Sequence, residues 1–416
     1  MKLLIKSATV VDKDSDFNNK KVDIFIKDGV IKKIGTALKE KADKEIYKEN
    51  LHVSRGWFDS SVSFGEPGFE ERETIANGLD TAGKSGFTTV CVNPDTSPVI
   101  DNNSAVNSLI SKAAKNPVKL VPTGALTVKS KGLDLAELYD MKQAGAASFG
   151  DYKSAVRNPN LLKIALQYAQ NFDALVQSFP QENKIAGSGQ VNEHHNSTSL
   201  GLKGIPNLAE ELQIARDLYI LEYTGGKLHI PTISTEKSVK LIKDAKKKGL
   251  DVTCSVAIHN LIFTDELLKE FDTSSKVLPP LRTAKDIKAL IKGIKDGTID
   301  MVTSDHQPID IEHKKVEFEN ASYGTIGLES AFGALMNIFS TEEAIALLTS
   351  GKSRFNISES GIKEGEKVNL SLFTTNDQYK FSGENIFSTS RNSIFLGHQL
   401  KGKAYGIITE NGQITF

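Results

Sequence analysis

The chain has 416 residues, 39% hydrophobic and 25% charged, a length that suits one barrel-sized domain and a smaller one. Its formal net charge of -1 gives no basic footprint for nucleic acid or an anionic membrane surface. No window approaches the roughly 20 apolar residues of a bilayer span, and Met1–Thr9 lacks a signal-peptide core, so a cytoplasmic protein is expected.

Residues 1 to about 52 read as short strands. Leu3–Ile5 and Val22–Ile26 come first, and the turn Lys27-Asp28-Gly29 leads into Val30–Ile34. From there the pattern becomes strand, loop, helix, repeated. Eight apolar runs follow: Trp57–Ser63, Thr88–Asn93, Lys119–Ala125, Ala146–Asp151, Ala174–Phe179, Lys227–Ile233, Asp251–Ala257 and Asp300–Asp305. Stretches between them, such as Thr235–Lys248 and Ala284–Asp296, carry apolar residues at helical spacing. The block Lys246–Lys248 sits at such spacing and reads as a solvated helix face. Val368–Phe373 and Ala404–Ile408 return to strand style, with Asn411-Gly412 as a hairpin signal. The expected fold is an α/β TIM-type (β/α)8 barrel over residues 53–359. A small β-sandwich domain is expected from both termini, residues 1–52 plus 360–416. A doubly wound sheet fits less well, because no Gly-x-Gly-x-x-Gly follows a strand.

Side chains that do chemistry in a barrel sit at the C-terminal ends of its strands. The residues there are Asp59, Ser61 and Ser63; Asn93 and Asp95; Asp151; Gln177; Thr232; Ser255 and His259; Asp305 and His306. A transition-metal centre needs several His, Cys, Asp or Glu ligands converging on one point. Hydroxyls and an amide predominate instead, so the residues themselves predict no metal. His194-His195 reads as a surface pair, and His229 as a packed, hydrogen-bonded residue. Cys91 and Cys254, the only cysteines, lie in apolar runs and read as buried thiols. No nucleophile elbow and no phosphate-binding loop appears.

The run Gly56–Gly68 resembles the dihydroorotase signature G-F-I-D-x-H-x-H-x-R-E-P-G. The likeness continues through Gly86–Val90, Pro98–Asn102, Gly124–Thr127, Pro279–Arg282, Asp305–Pro308 and Gly324–Glu329, nearly the whole chain. It implies a zinc-dependent barrel that hydrolyses the ring amide of dihydroorotate, or closes it from carbamoyl aspartate, in pyrimidine biosynthesis. By the same resemblance Asp305 matches the aspartate that shuttles the proton, and Asp151 an acidic position that bridges metals in one branch. The four metal-binding histidines correspond to Ser61, Ser63, Gln177 and Thr232. The anion-binding arginine corresponds to Gly65, and the asparagine of the P-N-T-x-P loop to Asp95. Leu278 stands for the asparagine before the paired prolines, and Ile309 for the second histidine of D-H-A-P-H.

These departures lead to the expectation of a non-catalytic chain without cofactor, Asp305 being vestigial. It would serve a structural or assembly role with aspartate carbamoyltransferase as partner, and a homodimer is implied by the resemblance. Two alternatives stand beside it. One is an active zinc dihydroorotase. The other is an enzyme of altered chemistry, metal-free or with one hard cation, built on Asp151, Asp305, His259 and His306.

Overall fold

A computed structural model describes residues 1–415. Among the described residues, eight parallel strands succeed one another around a nearly closed barrel. They are Trp57–Val62, Phe87–Val92, Lys119–Gly124, Ser148–Phe149, Leu175–Gln177, Lys227–Ile230, Val252–Ala257 and Met301–Thr303. Each pairs in parallel with the next. Closure between the last and the first comes largely from side chains. The Asp59 carboxylate accepts the Thr303 hydroxyl at 2.5 Å and the Ser304 amide at 2.8 Å, and Val62 bridges to His306.

All eight strands fall within the apolar runs of the sequence or one residue outside them. The fourth shows why such runs over-read strand length. Its ladder stops at Phe149, and beyond it the Asp151 side chain accepts the Thr127 amide at 2.9 Å.

The intervening helices follow from their caps and faces. Glu236–Lys247 starts where the Thr235 hydroxyl accepts the Ser238 amide at 3.2 Å, and it buries Val239, Ile242 and Ala245. Its lysines face outward, where Lys243 pairs with Asp296 and Lys246 with Asp300. Ala284–Lys295 starts with a reciprocal Thr283–Asp286 capping box.

Strands from both termini form a second, mixed sheet. Leu51–Arg55 lies between Lys2–Val10 and Asn369–Lys380, so the two ends of the chain meet across it. Lys21–Lys27 and Val30–Gly35 are joined by Asp28 and Gly29 at φ 52° and 73°, the left-handed pair that a two-residue hairpin requires. The sheet has its own apolar cluster, including Leu3, Ile5, Val22, Ile24, Val53, Leu370 and Ile408. Trp57 fastens it to the barrel. Its ring packs against Phe87, Phe332 and Phe373, and its indole N–H donates to Ser54 at 2.9 Å.

Candidate active site

At the C-terminal ends of the fourth, sixth and eighth strands, the backbone is held in a conformation that L-residues seldom adopt. Tyr152, Thr232 and Asp305 have φ of 53°, 48° and 47°. Each costs of order 1–3 kcal/mol, and such strain persists where surrounding structure over-determines it, typically at functional sites. These turns bring Ser61, Asp151, Tyr152, Lys153, Gln177, Thr232 and Asp305 around one chamber of about 10 Å³, room for about one water molecule.

Asp305 is the most connected group there. One carboxylate oxygen accepts the Ser61 and Tyr152 hydroxyls, each at 3.4 Å. The other lies 2.9 Å from the Lys153 ammonium, which also donates to Gln307 at 2.9 Å. Burial raises the Asp305 pKa, against the lowering effect of Lys153 and the hydroxyls.

The other residues singled out in the sequence divide between this chamber and its surroundings. Asn93 donates to the Ser61 and Ser63 hydroxyls at 3.1 and 3.2 Å, and Ser63 donates to Asp95 at 2.9 Å. The Asp95 pKa is raised by burial. Asp151 is occupied by Thr127, accepting its amide at 2.9 Å and its hydroxyl at 2.5 Å. Gln177 donates to Ser148 at 2.8 Å, and the Thr232 amide to Ser255 at 3.1 Å. Leu278 packs with Phe179, Ile205 and Ala209, and the Ile309 amide is held by Asn392 at 3.1 Å. Neither Leu278 nor Ile309 lines the chamber.

His259 is buried and does not line the chamber, and neither of its ring nitrogens has a hydrogen-bond partner. Burial lowers its pKa to about 3. His306, also lowered to about 3 by burial, accepts the Gly327 amide at 3.2 Å and serves as a structural acceptor. His229 is hydrogen-bonded to Thr253 and Ser255, as its strand position implies.

Gly65 is a conformational requirement. Its φ is 94°, and a Cβ there would lie 2.5 Å from the Phe69 carbonyl oxygen. The loop excludes any side chain at this position, so restoring an arginine would require it to refold.

Sequence reasoning passed over Tyr152 and Lys153. Their one signal is position, directly after Asp151 at a strand end. A lysine in a loop between two polar residues has no periodicity to mark it.

The zinc implied by the resemblance finds no matching donor set. Among the described residues, no three His, Cys, Asp or Glu side chains converge as ligands. The hydroxyls and amide at Ser61, Ser63, Gln177 and Thr232 are poor zinc donors. Asp305 already faces an ammonium, which a metal ion bound there would have to displace.

A dihydro-orotase-like family pattern matches residues 52–238. Proteins named dihydroorotase align over almost the full length. That of Pelotomaculum thermopropionicum is 38% identical, covering 98% of this chain and 97% of its own. That of Acetivibrio thermocellus is 36% identical, covering 99% and 98%. Among solved structures, the L-hydantoinase (dihydropyrimidinase) from Arthrobacter aurescens superposes with a TM-score of 0.86. It is 20% identical, and the match covers 99% of this chain and 96% of that one.

These findings overturn two expectations. Full-length kinship with proteins named dihydroorotase contradicts a non-catalytic role. The expectation of no cofactor is corrected as well, because the full-length relatives are named dihydroorotase, the family for which the sequence resemblance implies zinc. Both expectations came from four missing imidazoles. Those positions bear on how a metal would be held, and they leave Asp305, its strained turn and its neighbours in place.

Proposed function

The chain belongs to the dihydroorotase family, and from that premise we propose that it is a cyclic amidohydrolase. It opens, or in reverse closes, the ring amide of a dihydroorotate-type substrate. The observation that carries this reading is Asp305, a buried carboxylate in a strained turn that lines a chamber sized for one water.

Ring opening adds the oxygen of water to the amide carbon, breaks the carbon–nitrogen bond and leaves a proton on the departing nitrogen. Asp305 is placed to take the proton from the water and return it to that nitrogen. A pKa raised by burial brings a carboxylate closer to the working pH and improves its action in both directions. The Ser61 and Tyr152 hydroxyls orient the carboxylate, and the surrounding side chains shut out bulk water. No step is assigned to zinc, because the side chains at this mouth do not supply its ligands.

Incubating the purified chain with L-dihydroorotate and measuring carbamoyl aspartate tests the reading. Product in amounts proportional to protein supports it. No product from either direction of the reaction refutes it.

A further inference from the structure

Dihydroorotate and carbamoyl aspartate are anions, and Gly65 leaves no room for a cationic side chain on the loop after the first strand. The next cation along that loop, Arg72, is committed elsewhere. It lies 3.4 Å from Asp310 and stacks over the Phe69 ring. Among the described residues, Lys153 is the one cation that lines the chamber. Its side chain is only 11% exposed.

Lys153 also borders a second, open space. A cleft of about 1310 Å³ runs outward from it, lined by Lys131, Arg157 and Lys184, with Glu182 as the opposing charge. Among the described residues, none of Lys131, Arg157 and Lys184 has a carboxylate within ion-pair distance. The excess positive charge lines a cleft that Lys153 shares with the chamber. A cleft lined by charge of one sign concentrates ligands of the opposite sign.

We propose that Lys153 is the anion-binding residue of this site. Its ammonium exchanges Asp305 for the carboxylate of an anionic cyclic amide that arrives through the Lys131–Arg157–Lys184 cleft. This rests on the cyclic amidohydrolase reading and adds the group that selects the substrate's charge. The exchange also frees the Asp305 carboxylate when a substrate is present. Because the chamber holds only about one water, a ring binds only with the Lys153 side chain displaced toward the cleft. A primary ammonium on a flexible stem suits such a move.

The test is calorimetric titration of the full chain, treated with EDTA, with two rings. L-dihydroorotate carries a carboxylate, and dihydrouracil is its neutral counterpart. Wild type should prefer dihydroorotate at least tenfold, with the preference shrinking as salt rises. Lys153→Met should abolish the preference, Lys153→Arg should keep part of it, and the distant Lys243→Met should keep all of it. Thermal melts identify any variant that fails to fold. An equal preference in wild type and Lys153→Met overturns the assignment and leaves the hydrolase reading intact. If wild type binds neither ring but binds inorganic phosphate in a Lys153-dependent way, the anion site stands and the cyclic-amide reading falls. Absence of any anion binding overturns the proposal.

Discussion

Burial shifts the titrating residues of this protein in opposite directions, and each direction has a consequence. His229 lies between Thr253 and Ser255 with its pKa lowered to about 3. Below its unfolded value near 6.5, the unfolded chain binds a proton that the native chain refuses. His229 therefore contributes stability that is intact above pH 6.5 and is lost as pH falls toward 3, by up to about 1.4 kcal/mol per pH unit. Asp59, Asp217 and Glu329, whose pKa values burial raises, act in the opposite sense, so the total acid dependence mixes the two. A difference isolates the histidine. Urea unfolding of wild type and His229→Gln at pH 7.5, 5.5 and 4.5 should show the wild type's advantage shrinking as the pH falls. A difference that stays constant over that range would show that His229 is protonated in the native state.

At the scale of elements, the alternating strand and helix signals were plain in the sequence, and so were the two terminal strand groups. Strand ends were less legible, because an apolar run continues into strand-end positions such as Asp151, whose side chain accepts the Thr127 amide outside the ladder. Of the site, Asp305, Ser61, Gln177 and Thr232 were found by their strand-end positions, and the structure gathers them around one chamber. Lys153 was not found, because its role depends on a contact with Asp305 across 152 positions of chain. Elsewhere Glu210 accepts the Ser234 and Thr235 amides at 2.8 and 3.1 Å, anchoring the start of the helix after the sixth strand. Arg282, buried 3.9 Å from Glu210, donates to Asn192, Ser234 and the Ile205 carbonyl. Removing the cation by Arg282→Met leaves Glu210 buried without its partner, which should cost about 3–5 kcal/mol in denaturant unfolding. A loss below about 1 kcal/mol would mean that the Ser234 hydroxyl and the Ser234 and Thr235 amides suffice to hold Glu210.

For the molecule as a whole, the barrel and the terminal sheet are fastened by the ring cluster around Trp57, which lies between Phe87, Phe332 and Phe373. Trp57→Ala should cost about 3–5 kcal/mol. If the sheet depends on this contact, unfolding should also separate into two transitions, visible by calorimetry. A single unshifted transition would contradict that coupling. The same framework holds the strained turn of Asp305 at the barrel mouth, and the proposed hydrolysis depends on that carboxylate. The most direct measurement is the rate of L-dihydroorotate ring opening by wild type and by Asp305→Asn, both confirmed folded by their melting curves. Turnover by wild type and a loss of at least about a hundredfold in Asp305→Asn are expected, in keeping with removal of a general acid–base group. Equal rates in the two proteins, or no turnover by wild type, would contradict hydrolysis through Asp305.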